Sequence, residues 1–139
     1  MGKRSTGRKL AMQAIYQCQV RSGSMQEVVD DFIAEADVPE ETKQWAAQLS
    51  LGVWDKRLEL DRLIEKYSEH WELFRITGVD LSVLRMALYE LRYSDIAPSI
   101  AINEAIEIVK KYSTDDSSKF VNGILGNYVK EESNVHGDS

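Results

Sequence analysis

Groups able to exchange a proton, attack an electrophile or hold a metal are few in this chain. His70 and His136 are its only histidines, and Cys18 is its only cysteine. Neither histidine has a glutamate three residues before it, so the carboxylate–histidine pattern of di-metal helical bundles is absent. A single cysteine excludes an internal disulfide framework and a cysteine zinc cluster. A Cys18–His70 nucleophile pair stays open to the sequence, although Cys18 falls on an apolar stripe, where thiols are usually inert. No glycine-rich phosphate loop of the P-loop or dinucleotide type occurs. Gly123-Ile124-Leu125-Gly126 echoes the clamp of KH modules, yet it lies inside a helical stripe. The acid pairs Asp30-Asp31, Asp115-Asp116 and Glu131-Glu132 read as solvated helix surface and caps. Such a supply suits a binding module better than an enzyme, and no catalytic residue, metal or cofactor is expected.

The polar residues that stand out gather in two places. Lys3, Arg4, Arg8 and Lys9 precede or open the first helix. Asp116, Ser117, Ser118, Lys119 and Phe120 open the last. A helix start presents free N–H groups and a positive dipole end, which suit a phosphate. An aromatic ring at such an edge can stack on an unpaired base, typically for ~1–3 kcal/mol. Periodicity alone, however, puts Phe120 in the core stripe. Net charge is −6, but its distribution is uneven. Lys3, Arg4, Arg8, Lys9 and Arg21 all precede Gln26, and no Asp or Glu does; all 23 acidic residues come later. This asymmetry is a cue for a basic arm that meets a polyanion, set against a body that repels generic ones.

What must position these residues is a set of helices. The chain has 139 residues and is 43% hydrophobic, enough for one domain with a real core. No apolar run approaches the ~18 residues of a membrane span. The basic start is followed by no apolar stretch, so it does not read as a secretory signal. A reducing cytoplasm is the expected compartment. Almost every segment has a period near 3.6.

The first helix is expected from about Thr6 to Arg21, with Leu10, Ala11, Ala14, Ile15 and Cys18 on one face. Ser24 and Glu27 form a capping-box signature for a second, whose stripe is Val28, Val29, Phe32 and Ile33. Pro39 opens a third, which either runs on to Tyr67 or breaks near Gly52 or Trp54. A short turn is expected around Leu73 and Phe74. Asp80 reads as the N-cap of a helix carrying Leu81, Leu84, Leu88 and Leu91 inward. Ile102, Ala105, Ile106 and Val109 mark the next. Asp116 or Ser117 opens the last, with Phe120, Val121, Ile124, Leu125, Tyr128 and Val129 inward. The sum is an all-α, compact bundle of six to seven helices in one domain over residues 1–139. Residues 1–7 are expected as a flexible basic arm and 131–139 as a frayed polar tail.

Four motifs then carry a resemblance. Arg8-x-x-Ala11-x-x-Ala14-Ile15-Tyr16 resembles the opening helix of the NusB family. Val79-Asp80-x-x-x-Leu84-Arg85-Met86-Ala87-Leu88-Tyr89-Glu90-Leu91 is similar to its central signature. Pro98 with Ile102-Asn103-Glu104-Ala105-Ile106-Glu107 resembles its next block, and Ser118-Lys119-Phe120-Val121-Asn122-Gly123-Ile124-Leu125 its last. The resemblance implies an all-α fold of two small helical subdomains and transcription antitermination as the function. It implies binding of boxA, a single-stranded element of ribosomal RNA leaders, together with the small-subunit ribosomal protein NusE. NusA, NusG and RNA polymerase complete the implied complex. Lys3, Arg4, Arg8 and Lys9 match the family's basic RNA-contacting arm. Asp116, Ser118, Lys119 and Phe120 match its second RNA-facing region, and Tyr16 and Asp80 fall where it meets NusE. One departure stands out: Ser5, Thr6 and Gly7 interrupt the basic run, and Gly7 should loosen the helix entry. Two other readings remain, a helical adaptor for rRNA processing or methylation and a protein-only adaptor.

Overall fold

The structure, a computed structural model, describes residues 2–21, 23–69 and 73–137. These residues form seven α-helices and no strand: α1 (Lys3–Val20), α2 (Met25–Val28), α3 (Glu40–Asp55), α4 (Arg57–Tyr67), α5 (Gly78–Tyr93), α6 (Pro98–Tyr112) and α7 (Asp115–Gly137). The helices fall into two units, Met1–Arg57 and Leu58–Ser139. The all-α architecture expected from the 3.6 periodicity is what the chain adopts. His70 and Trp71 lie outside the described residues, as does the side chain of His136.

In the first unit, α1 packs along α3. The predicted stripe of Leu10, Ala11, Ala14, Ile15 and Cys18 is buried, against Ala46, Leu49 and Val53 of α3. Small side chains at Ala11, Ala14 and Ala46 let the two backbones come close. Gly7 does the same nearer the helix start: a Cβ there would lie 2.6 Å from Cε3 of Trp45. Gly7 therefore tightens the helix entry rather than loosening it.

Ser24 caps α2 by accepting the Glu27 N–H at 3.1 Å, as the capping-box signature predicts. The helix then widens into a π-turn over Val29–Ile33, with Ala34 N–H donating to the Val29 carbonyl at 2.9 Å. The wider turn brings Val28 and Ile33 inward together and leaves Phe32 half-buried. The long third stripe is two helices. α3 stops at Asp55, and Arg57 Nη1 donates to the Trp54 carbonyl at 2.7 Å, satisfying one of the carbonyls a helix end leaves free.

In the second unit α5 packs against both α6 and α7, so its burial extends around most of its circumference. Val83, Leu84, Met86, Ala87 and Leu88 are all buried, whereas Leu81 and Leu91 are half-buried. α6 contributes Ala101, Ala105, Ile108 and Val109, and α7 contributes Val121, Ile124, Leu125 and Tyr128. Inside this unit Arg85 forks onto Asp61 of α4, Nε to Oδ1 at 2.7 Å and Nη2 to Oδ2 at 2.8 Å. Two-pronged geometry of this kind is what a buried pair needs to offset desolvation.

Four local expectations need correcting. The cap of α5 is Thr77, whose hydroxyl accepts the Asp80 N–H at 3.4 Å, so Asp80 sits in the first turn. α7 begins at Asp115, with Thr114 Oγ1 accepting the Ser117 N–H at 3.1 Å. Helix α1 starts at Lys3, inside the expected arm, because α3 lies alongside to hold it. Beyond Glu131 the chain stays helical to Gly137. Glu131 itself accepts from Lys66 Nζ at 2.8 Å and from the Tyr67 hydroxyl at 2.6 Å, which ties the end of α7 to α4.

Candidate functional site

Lys3, Arg4, Arg8 and Lys9 occupy the first two turns of α1. Cations at the positive end of a helix dipole cost some stability, roughly 0.3–1 kcal/mol each, and the first turn of α1 holds no acid to offset this. Their placement favours an anion outside the helix. The four do not share one environment. Lys3 is exposed and bridges to Glu41 Oε2 at 2.9 Å, and that hydrogen bond and charge hold the Glu41 carboxyl below its ordinary range. Arg4 is exposed, with its guanidinium 5.2 Å from the centre of the Trp45 ring. Arg8 is 4% exposed and sits 5.2 Å from the same ring. Lys9 is half-buried.

So the outer cations of this turn are Lys3 and Arg4. Arg8, expected as an RNA contact, is a packing cation on Trp45, and its burial leaves little surface for a phosphate. Planar stacking on an aromatic is a habit of Arg more than of Lys. Further along α1, Tyr16 is 39% exposed and Val20, one turn on, is 67% exposed. These two make an apolar pair on the outside of the helix.

In the second unit, Asp80 from the first turn of α5 comes together with Asp116, Ser117 and Phe120 from the start of α7. Arg75 and Thr77 close the lining of a cavity of about 190 Å³. Asp80 is 4% exposed, and its Oδ1 is buried with no hydrogen-bond partner. A side chain at this helix position commonly reaches back to the N–H of the cap residue; here Oδ1 stays unpaired instead. Leaving a buried acceptor unsatisfied costs about 1–3 kcal/mol.

Phe120 is half-buried, so one side of the ring packs and the rest borders the cavity. Ser118 and Lys119 do not line it. Ser118 Oγ donates to the Thr114 carbonyl at 3.4 Å, and Lys119 is exposed. Sequence reasoning passed over Trp45, Arg75 and Thr77. Thr77 was within reach, because Thr-x-x-Asp ahead of an apolar run is a capping signature. Trp45 and Arg75 carry no local signal; their relevance comes from what folds against them. Among the described residues no group of three or more His, Cys, Asp or Glu is arranged to hold a metal.

A helical scaffold, a cationic helix start and an aromatic-walled acidic cleft define a binding module of the all-α kind. The family model described as NusB family matches residues 5–130. The transcription antitermination protein NusB of Acetivibrio thermocellus is 40% identical over 131 residues, covering 94% of this chain and 90% of that protein. That of Thermoanaerobacter sp. strain X514 is 38% identical over 136 residues, covering 98% and 96%. Among solved structures, T. maritima NusB superposes with a TM-score of 0.84 at 34% identity, over 94% of this chain and 92% of that one. A structure of the antitermination factors NusB and NusE in complex with double-stranded RNA superposes with a TM-score of 0.85 at 26% identity, over 94% and 98%. The chain belongs to the NusB family.

Proposed function

We propose that this chain is a transcription antitermination factor that binds boxA-type single-stranded RNA together with NusE and joins NusA, NusG and RNA polymerase. In this reading it is an adaptor in the cytoplasm and performs no catalysis. The observation that carries it is near-full-length likeness, at 40% identity, to a protein named for transcription antitermination. A solved relative that holds both NusE and RNA supports the choice of partners. No helix among the described residues is long and apolar enough to cross a membrane.

Each unit contributes in its own way. Lys3, Arg4 and Lys9 hold phosphates, giving an affinity that falls as salt rises. Arg8 keeps Trp45 and the first turn in place. Phe120 offers a ring to an unpaired base, with Asp116, Ser118 and Lys119 beside it on the first turns of α7. Tyr16 supplies an amphipathic anchor for NusE, and the acidic body speeds encounter with a basic ribosomal protein.

Titration of boxA-type and scrambled RNA, with and without NusE, tests the reading. The expected result is tighter binding of boxA-type RNA, strengthened by NusE. Equal binding of both RNAs in both conditions would remove sequence-specific antitermination. Tyr16→Asp should impair NusE capture more than RNA binding; undiminished capture would exclude Tyr16 from the interface.

A further inference from the structure

The start of α1 is helical against the preference of its own sequence. Lys3, Arg4, Arg8 and Lys9 crowd like charges at the positive end of the helix dipole, and the first turn holds no acid to offset them. Gly2 at the N-cap has no side chain to bond the free N–H groups, and Gly7 lowers the helix preference of the second turn. Such a segment by itself unwinds. The helix nevertheless begins at Lys3, and α3, packed alongside, is what holds it. Glu41 and Trp45 stand one turn apart on α3 and hold it in two different ways. Glu41 bridges Lys3 at 2.9 Å, with both side chains exposed. An exposed pair of this kind stabilises little, and a phosphate competes with Glu41 for the same ammonium group. Trp45 takes guanidinium groups instead: Cζ of Arg4 and Cζ of Arg8 each lie 5.2 Å from the centre of its ring. Gly7 admits the edge of that ring, since a Cβ there would stand 2.6 Å from Cε3. A ring uses none of the N–H donors of a guanidinium, so it holds Arg4 without consuming what a phosphate needs.

We propose that Trp45 is a positioning residue for the RNA-contacting cations, keeping the first turns of α1 wound and Arg4 in place before a strand arrives; the proposal rests on the RNA-binding reading above. Trp45 acts through Arg4 and the helix start, not by touching RNA. A loose cationic arm gives up backbone and side-chain freedom when it binds, and that cost is subtracted from its phosphate contacts. A strand that meets a helix already formed escapes the cost. The outward cations here are few, Lys3 and Arg4 with half-buried Lys9 behind them, so the order of each one counts. Arg8, at 4% exposure, joins the ring to the packed side of α1, and Arg4 joins it to the exposed side. The phosphates neutralised in the complex are the same in number with or without the ring. Loss of the ring therefore lowers affinity and leaves the slope of affinity against salt where it was, a split that a lost phosphate contact does not show.

The experiment uses the full chain with Trp45→Leu, which keeps an apolar side chain without a π face, and with Trp45→Phe, which keeps the face. Affinity for boxA-type RNA is measured over a series of salt concentrations, and amide hydrogen exchange is followed at residues 3–9 of the free protein. In Trp45→Leu those amides should exchange about tenfold faster while the second unit keeps its protection. Its RNA affinity should fall about tenfold with an unchanged salt slope. Trp45→Phe should restore both. A fall in affinity with unchanged exchange would mean that the ring touches RNA itself, and a reduced slope would mean that a phosphate contact is lost outright; either result overturns the proposal. Undiminished affinity in Trp45→Leu overturns it too and leaves the RNA-binding reading standing. If the unaltered chain binds no RNA, that reading fails and the proposal falls with it. Should Trp45→Leu not fold, a tetrafluorotryptophan placed at position 45 decides instead, because it keeps the shape of the indole and weakens its π face. The same split between affinity and slope, at about threefold, then upholds the proposal, and unchanged affinity overturns it.

Discussion

The start of α1 and the start of α7 are both helix N-termini rich in polar residues, yet they offer opposite things. At α1 the cations Lys3 and Arg4 stand outward, one held by Glu41 and the other lying over Trp45. At α7 the carboxylate of Asp116 and the ring of Phe120 turn toward a cleft that Asp80 shares. Exposed charge attracts any polyanion and supplies affinity with little selectivity. A cleft walled by an aromatic ring and carboxylates repels loose phosphate and favours a flat group that brings hydrogen-bond donors. Helix starts alike in one dimension thus diverge according to what folds against them.

The most severe way to break this contrast is to remove the support of one side. Arg85→Ala strands Asp61 in the interior, and loss of one partner of a buried pair typically costs about 3–5 kcal/mol. Urea unfolding should show that loss. Unchanged stability would mean that water replaces Arg85 at Asp61. On the other side, Gly7→Ala drives a Cβ to 2.6 Å from Trp45 Cε3, and forced overpacking usually costs about 1–3 kcal/mol. A lowered Tm with unaltered cleft behaviour is expected, and an undiminished Tm would show that Trp45 yields freely.

Phe120→Ala should weaken RNA binding by about 1–3 kcal/mol, the worth of one stacked base, without changing the slope of affinity against salt. The slope belongs to the other region. Arg4→Ala should reduce it by about 1, the loss of one phosphate contact, whereas Arg8→Ala should lower thermal stability and leave the slope alone. A slope that falls with Arg8→Ala instead would return that residue to the RNA surface.

The smallest effect is the acid response. Lys66, then Tyr67, hydrogen-bond Glu131 and hold its carboxyl below the ordinary value of 4.5; Lys3 does the same for Glu41. A depressed folded pKa contributes stability that is present above the ordinary value and is lost as pH falls through the folded one. Both contacts are solvent-exposed, so the loss below about pH 4.5 should be slight. Glu131→Gln should remove part of it from the second unit, and Glu41→Gln part from the first. Identical acid unfolding curves for these variants and the unaltered chain would show that neither bridge matters to stability.

Much of the fold was legible locally. The stripe from Leu10 to Cys18 announced its buried face, and Ser24 with Glu27 announced a cap that the structure contains. The starts of α5 and α7 were each misjudged by one to three residues. In both cases a threonine just upstream caps the helix, while the acidic residue chosen in its place lies inside the first turn. A threonine and an aspartate compete for the same role, and only the three-residue spacing of Thr77 to Asp80 ranks them. The candidate site was only partly legible. Asp116 and Phe120 were singled out as polar or aromatic residues at a helix start, and Asp80 for a protein partner, with nothing to say that all three line one cavity.

From the sequence alone came the all-helical class, the order of the helices, the apolar faces and the basic leading segment. Each depends on residues within a turn or two of one another, and a 3.6-residue period is a local property. Tertiary structure decided that Gly7 is a close-packing residue, that Arg8 is buried on Trp45, and that the break after Asp55 separates two units. It also buried Asp80 Oδ1 without a hydrogen-bond partner. Burial and pairing depend on helices dozens of residues apart in the chain, and no spacing rule within one helix reports what a distant one will cover.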